Sequence, residues 1–178
     1  MAMRGEREVR EFFETAGIQK EIRRFPESTH NSELAARCLG VEVGQIAKTL
    51  LLLSDASPLA VVVSGDRRVD MRKVRALGHG KNVRLAGPEE VVAHTGFAVG
   101  AVSPVPLPPG IPVYLDRSLR RFEVVYPAAG ETNSMFSTTF DELLALTGGR
   151  EADLARDDSV TGSPTPRCPA PGSAGTGT

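Results

Sequence analysis

The chain has 178 residues, enough for one domain and too few for two comfortable ones, and its formal net charge is -1. A hydrophobic fraction of 40% and a charged fraction of 24% are those of a globular protein, and with aromatics at 5% its core must come from Leu, Val, Ile and Ala. This balance excludes a polyanion-binding surface spread over the whole chain, and no apolar run approaches the ~20 residues of a membrane-spanning helix.

The N-terminal stretch MAMRGEREVREFFETAG is charged and has no apolar h-region, which points to a cytoplasmic protein. Residues 6–16 read as an amphipathic helix, with Val9, Phe12, Phe13 and Ala16 on one face and Gly17 as its stop. A short strand ends at Pro26. A second helix follows in STHNSELAARCLG, with Ser28, Thr29 and Asn31 as candidate caps and Gly40 closing it. VGQIAKTLLLLSD leads into a long strand, and residues 59–63 form another between Pro58 and Gly65. VDMRKVRALGHG is a short helix. NVRLAGPEEVVAHTG gives a strand and then a helix with Pro88 in its first turn. Residues 97–130 alternate short strands with Pro/Gly turns, and the prolines favour antiparallel hairpins. STTFDELLALTGG is the last helix, capped by Ser137 or Thr138.

From Arg150 onward the chain is polar, then rich in Pro, Gly, Ser and Thr, so residues 150–178 read as a disordered tail after a domain of residues 1–149. The irregular mixture of elements predicts an α+β domain: a mixed, mostly antiparallel, barrel-like β-sheet flanked by helices.

Four stretches carry candidate chemistry. Lys48 puts an ammonium at the threshold of an apolar strand, either snorkelling at the strand edge or projecting into a cleft as a point charge. In GAVSP, Gly100 allows close backbone approach and Pro104 holds Ser103 extended, so the loop is either a plain turn or a set of N–H donors for an anionic oxygen. GAVSP is not the G-x-S-x-G elbow of a serine hydrolase. In AAGETNSMF, Gly130, Asn133 and Ser134 suit either a turn or ligand contact. Residues 66–84 hold seven Lys and Arg, among them Arg67, Arg68, Arg72 and Lys73, as a solvated face or a phosphate-contacting one. His30, His79 and His94 lack metal-ligand spacing, and Cys38 and Cys168 make neither a zinc site nor a structural disulfide.

Taken in order, STHNSELAARCLGVEVGQIAKTLLL, VVVSGDRRVDMRKV, VGAVSP and AAGETNSMF…TTFDELLALTGG resemble the YbaK/prolyl-tRNA-synthetase-associated domains. That family consists of aminoacyl-tRNA deacylases that act in trans. The resemblance spans residues 5–149. It implies a catalytic set of Lys48, Gly100, Ser103 and Pro104, and substrate contacts at His30, Gly130, Asn133 and Ser134. The implied reaction is hydrolysis of a mischarged aminoacyl-tRNA, tRNA(Pro) or a related tRNA bearing Ala, Cys or Ser, with no metal and no cofactor. The implied partners are aminoacyl-tRNA and an aminoacyl-tRNA synthetase, with neither membrane nor DNA. A non-catalytic tRNA- or synthetase-binding module of the same fold is the alternative.

Overall fold

The computed structural model describes residues 2–29 and 31–156. In chain order the described elements are α1 (Glu6–Thr15), β1 (Ile22–Arg24), α2 (Ser32–Leu39), β2 (Ile46–Ser54), β3 (Ser57–Ser64), α3 (Met71–Arg75), β4 (Val83–Leu85), α4 (Pro88–Thr95), β5 (Val113–Asp116), β6 (Tyr126–Pro127), β7 (Ser134–Phe136), α5 (Phe140–Thr147) and β8 (Arg150–Ala152). His30 and residues 157–178, and with them the rest of the expected tail, lie outside the described residues.

The centre is the β2–β3 hairpin. Its Leu- and Val-rich strands do not alternate with polar residues, because both faces are covered. On one face Ala47, Leu51, Leu53, Ala60 and Val62 pack with Val9 and Phe13 of α1, Val91 of α4, and Phe140 and Leu143 of α5. On the other, Leu52, Leu59, Val61 and Val63 meet Val69, Val74, Tyr114 and Leu154. A third cluster seats α2 on Ile46 and Met135 through Ala35 and Ala36.

The main sheet runs β4-β2-β3-β5-β8, with β6 also on β2, and β1 and β7 form a separate pair. The α+β class and the mixed sheet match the sequence expectation, but the sheet is open: β4 and β8 end the order and are not bonded to each other. The proline-rich region does not form antiparallel hairpins. β5 runs parallel to β3 and β8, and β6 runs parallel to β2. Prolines at 104, 106, 108, 109 and 112 remove the N–H donors a ladder needs, so the chain crosses the domain as a loop and pairs only from Val113.

Local chemistry fixes the helix ends. Asn31 caps α2, its side chain accepting from the Leu34 N–H at 2.8 Å. Thr139, rather than Ser137 or Thr138, caps α5, and it exchanges hydrogen bonds with Glu142 in a capping box. Pro88 takes the first turn of α4 as expected, while Glu90 reaches back to the Gly87 N–H at 2.8 Å and binds Arg84 through both oxygens. The Arg84 guanidinium and the Gly87 amide hold the Glu90 carboxyl down at about 2.

The boundary expected at residue 149 moves. Residues 150–152 extend the sheet as β8, and Leu154 is fully buried. Asp116, itself buried, accepts from the N–H groups of Leu154 and Ala155 at 2.6 and 2.9 Å. An edge strand with exposed polar side chains has no apolar pattern to betray it, and one leucine supplies the anchor.

Two outcomes follow from this packing. Leu154→Ala should lose roughly 2–5 kcal/mol in urea unfolding, as a deleted buried leucine does, where a leucine in a solvated tail would cost nothing. Because its folded pKa is depressed, Glu90 stabilises fully above its unfolded value near 4.5, and that contribution disappears as pH falls towards about 2. The Tm gap between wild type and Glu90→Gln should therefore be present at pH 7 and close by pH of about 2.

Candidate functional site

The site forms where β2 lacks a neighbour. On one edge β2 pairs with β3 along almost its whole length. On the other, β6 covers Ile46 and Ala47, and β4 covers Leu52, Leu53 and Ser54. Between them the edge is open, and a cleft of about 350 Å³ lies there. One wall is the start of α2, with Asn31, Ser32 and Glu33; the opposite wall is the β4–α4 corner, with Leu85, Ala86 and Val91. Val99, Gly100 and Val102 come in from the loop after α4, Ala128 from the end of β6 and Met135 from β7. Leu85 and Val99 are exposed apolar lips, at 53% and 56%.

Close approach of α2 to the sheet requires glycine at 65. A Cβ there would stand 2.4 Å from the Val43 carbonyl oxygen and 2.7 Å from Ser32 Cβ. Thr29 enters the wall because its N–H and hydroxyl both donate to the Thr132 carbonyl, at 2.6 and 2.8 Å.

Lys48 shares its face of β2 with Leu50 and Leu52 and lines the cleft, half-buried. Among the described residues it has no hydrogen bond and no ion pair within 4 Å. Burial lowers its pKa below the ordinary lysine value; the Glu33 carboxylate opposes that shift, Arg68 adds to it and Asp66 opposes it. A lysine in this position is an uncommitted charge facing a hollow rather than one half of an ion pair.

The structure brings Gly100 to the same cleft. Its φ of +84° is a conformation that suits glycine. Ala101 N–H is taken by the Ala98 carbonyl at 3.0 Å, whereas the N–H groups of Gly100 and Val102 take no intramolecular acceptor among the described residues. Ser103 is fully buried, and its hydroxyl donates to the Val105 carbonyl at 2.5 Å and accepts from the Val105 N–H at 3.3 Å. Its hydroxyl is consumed by the loop it shapes. Neither Ser103 nor Pro104 lines the cleft.

The third candidate stretch sits behind the wall. A Cβ on Gly130, whose φ is +94°, would lie 2.5 Å from the carbonyl carbon of Gly5, so this glycine seats α1. Asn133 donates through Nδ2 to the Phe25 carbonyl at 3.1 Å. Ser134 is fully buried in β7 and accepts from the Glu131 N–H at 3.3 Å. None of the three lines the cleft; the stretch contributes Ala128 and Met135 instead, and through Thr132 it fixes Thr29.

The basic run divides. Arg72 pairs with Asp70 at 3.3 Å, and Lys73 pairs with Asp153 at 2.9 Å and donates to the Ala155 carbonyl, clamping the chain after β8. Arg67 Nε is buried without a hydrogen bond, 3.9 Å from Asp66, while Arg68 is exposed and near enough to Lys48 to lower its pKa. Thr49, Ala86 and Val91 line the cleft but carried no signal in the sequence, since Thr, Ala and Val in a strand or helix read as packing.

Residues 26–146 match the model of the aminoacyl-tRNA editing domain, more than half of the chain. The chain is 35% identical over 136 residues to YwhH of Bacillus subtilis, covering 76% of this chain and 86% of that protein. Over 125 residues it is 26% identical to EbsC of Enterococcus faecalis, provisionally assigned as a Cys-tRNA(Pro)/Cys-tRNA(Cys) deacylase, covering 70% of this chain and 76% of EbsC. A crystal structure provisionally assigned as a trans-editing enzyme for prolyl-tRNA synthetase superposes with a TM-score of 0.79 at 39% identity, over 85% of this chain and 96% of that one. This chain is also 35% identical over 144 residues to the proline–tRNA ligase of Solidesulfovibrio magneticus, covering 78% of this chain but 24% of the ligase. The chain belongs to the aminoacyl-tRNA editing domain family.

Proposed function

We propose that this protein removes wrongly attached small amino acids from tRNA, with tRNA(Pro) carrying Ala, Cys or Ser as the substrate class. The observation that carries the reading is the meeting of Lys48 and Gly100 in one cleft at an open strand edge, in a member of this family. The relatives assigned to Cys-tRNA(Pro) deacylation and to prolyl-tRNA synthetase support the choice of tRNA and the synthetase as a second partner.

An aminoacyl ester is already activated, so water can attack the carbonyl without a protein nucleophile, one of its protons passing to the departing ribose oxygen. The carbonyl oxygen gains negative charge, the ester C–O bond breaks, and the tRNA hydroxyl leaves with a proton. The protein must hold the ester and stabilise that oxygen. The unused N–H groups of Gly100 and Val102 are the proposed donors. Lys48 is the proposed contact for the ribose or the terminal phosphate. Ser103 has no chemical role here, because its hydroxyl already serves the Val105 main chain. Selectivity in this reading is a matter of side-chain size, a short side chain being admitted and a larger cognate one turned away, as in a second sieve.

The test is deacylation of tRNA(Pro) charged with Ala, Cys or Ser. Wild type should release one of these well above background, and Lys48→Ala should lose at least about 100-fold. Release by wild type and Lys48→Ala at the same background rate would leave only the binding-module alternative, and equal rates well above background would remove Lys48 from the chemistry. Ser103→Ala should keep turnover.

Lys48 also predicts a trade between activity and stability. Its pKa is lowered on folding, so the folded state gives up the proton first as pH rises. At neutral pH holding the charge costs stability, and Lys48→Met should gain on the order of 1 kcal/mol while losing activity. That gain should shrink as pH rises towards the ordinary lysine value of 10.5. Over the same range the enzymatic rate, corrected for spontaneous ester hydrolysis, should fall.

A further inference from the structure

The open stretch of β2 is one residue long, and that residue is Thr49. β2 and β3 are joined by Asp55 and Ala56, with φ of 45° and 70°, and Ser54 faces Ser57 across this two-residue turn. In such a hairpin the residue pair closing the turn exchanges both hydrogen bonds, and every second pair after it does the same. The bonded pairs are therefore Leu52 with Leu59, Leu50 with Val61 and Lys48 with Val63. The residues between them, Ala47, Thr49, Leu51 and Leu53, turn N–H and C=O away from β3. The Leu51 carbonyl accepts from the Ala86 N–H at 3.0 Å, which confirms the parity. Leu53 lies opposite Arg84 of β4, and Ala47 lies opposite Pro127 of β6.

Thr49 has no strand opposite it on that side among the described residues. Outside the β3 ladder its peptide groups take no partner among the described residues. Its Oγ1 is also buried with no hydrogen bond among them. Peptide groups at a strand edge seldom stay unpaired away from water. This residue lines the same cleft as Lys48 and Gly100.

We propose that the aminoacyl group of the substrate fills this gap as a one-residue strand, a reading that rests on the deacylase function above. An extended amino acid carries its amino N–H and its C=O on one side, with the spacing that bonds both main-chain groups of a single facing residue. The substrate ammonium donates to the Thr49 carbonyl, and the substrate carbonyl accepts from the Thr49 N–H. The second lone pair of that carbonyl is left for the 100–102 loop. The gap is closed at both ends, by β6 at Ala47 and by Ala86 at Leu51, so it holds one residue and not a peptide. The ligand this geometry recognises is an α-amino acyl ester; an α-hydroxy acyl ester would make the bond to the Thr49 carbonyl only with a neutral O–H, without the charge of the ammonium.

The test uses the full chain, amide hydrogen exchange by NMR, and two non-hydrolysable probes: the alanyl and lactyl amides of 3′-amino-3′-deoxyadenosine. In the free protein the Thr49 amide should exchange much faster than those of Lys48 and Leu50, and the alanyl probe should slow it by about 10-fold or more. The lactyl probe should bind more weakly. Thr49 protection equal to its neighbours in the free protein would overturn the proposal. So would probe binding that shifts the Gly100 signal and leaves Thr49 exchange unchanged. Replacing Thr49 by its α-hydroxy acid deletes the N–H and keeps the side chain; kcat/KM should fall roughly 100-fold with folding intact. Unfolding of that variant would mean the N–H serves the fold, and wild-type turnover would mean it serves nothing; either result overturns the proposal. Wild type that deacylates none of the charged tRNAs sinks the functional reading instead, independently of the exchange data.

Discussion

The hydrogen-bonding capacity of β2 organises this molecule. Its side chains are claimed by cores on both faces, and β3 satisfies one edge. The other edge is shared between two short strands that arrive from different directions, β4 antiparallel and β6 parallel. β4 leaves because Gly87 and Pro88 turn the chain into α4. The chain after β6 leaves because Ala128 and Ala129 pair with β7 residues instead. The cleft is what remains between two departures.

That origin explains the character of the site. A hollow made by diverging backbone is lined by apolar side chains and main chain, with Lys48 as its half-buried charge. Ser103, the serine that the sequence singled out, is turned into its own loop. The chemistry such a place can do is to hold a reactive ester and complement the charge that grows on it, and an aminoacyl ester needs little more.

Much of the fold could be read in the sequence where one residue had one job. The Val9/Phe13 face, the Asn31 cap and the Pro88 start followed from spacing and local hydrogen bonding. Lys48 stood out because a cation inside an apolar strand has a desolvation cost to justify. What stayed hidden were relations between distant segments. Nothing in EADLAR announces that Leu154 fills a core or that Asp116 binds its main chain, since both depend on a partner almost forty residues away. Gly130, Asn133 and Ser134 have the residue types of a ligand loop, but Gly130 packs against the start of α1, and Asn133 and Ser134 bond to Phe25 and Glu131. Thr49 is the opposite case: an unremarkable side chain on the residue of β2 that has no strand on its outer edge among the described residues.

A site built from peptide groups has an unusual relation to its gene. Codon changes at most positions swap side chains and leave amides and carbonyls where they were; only proline, or a bulkier residue at Gly65 or Gly100, touches the frame. Drift can therefore resize the chamber through Ala47, Ala86 and Ala128 without dismantling what grips the ester. New selectivities are reachable by single methyl-scale steps, each tried on a scaffold that still works.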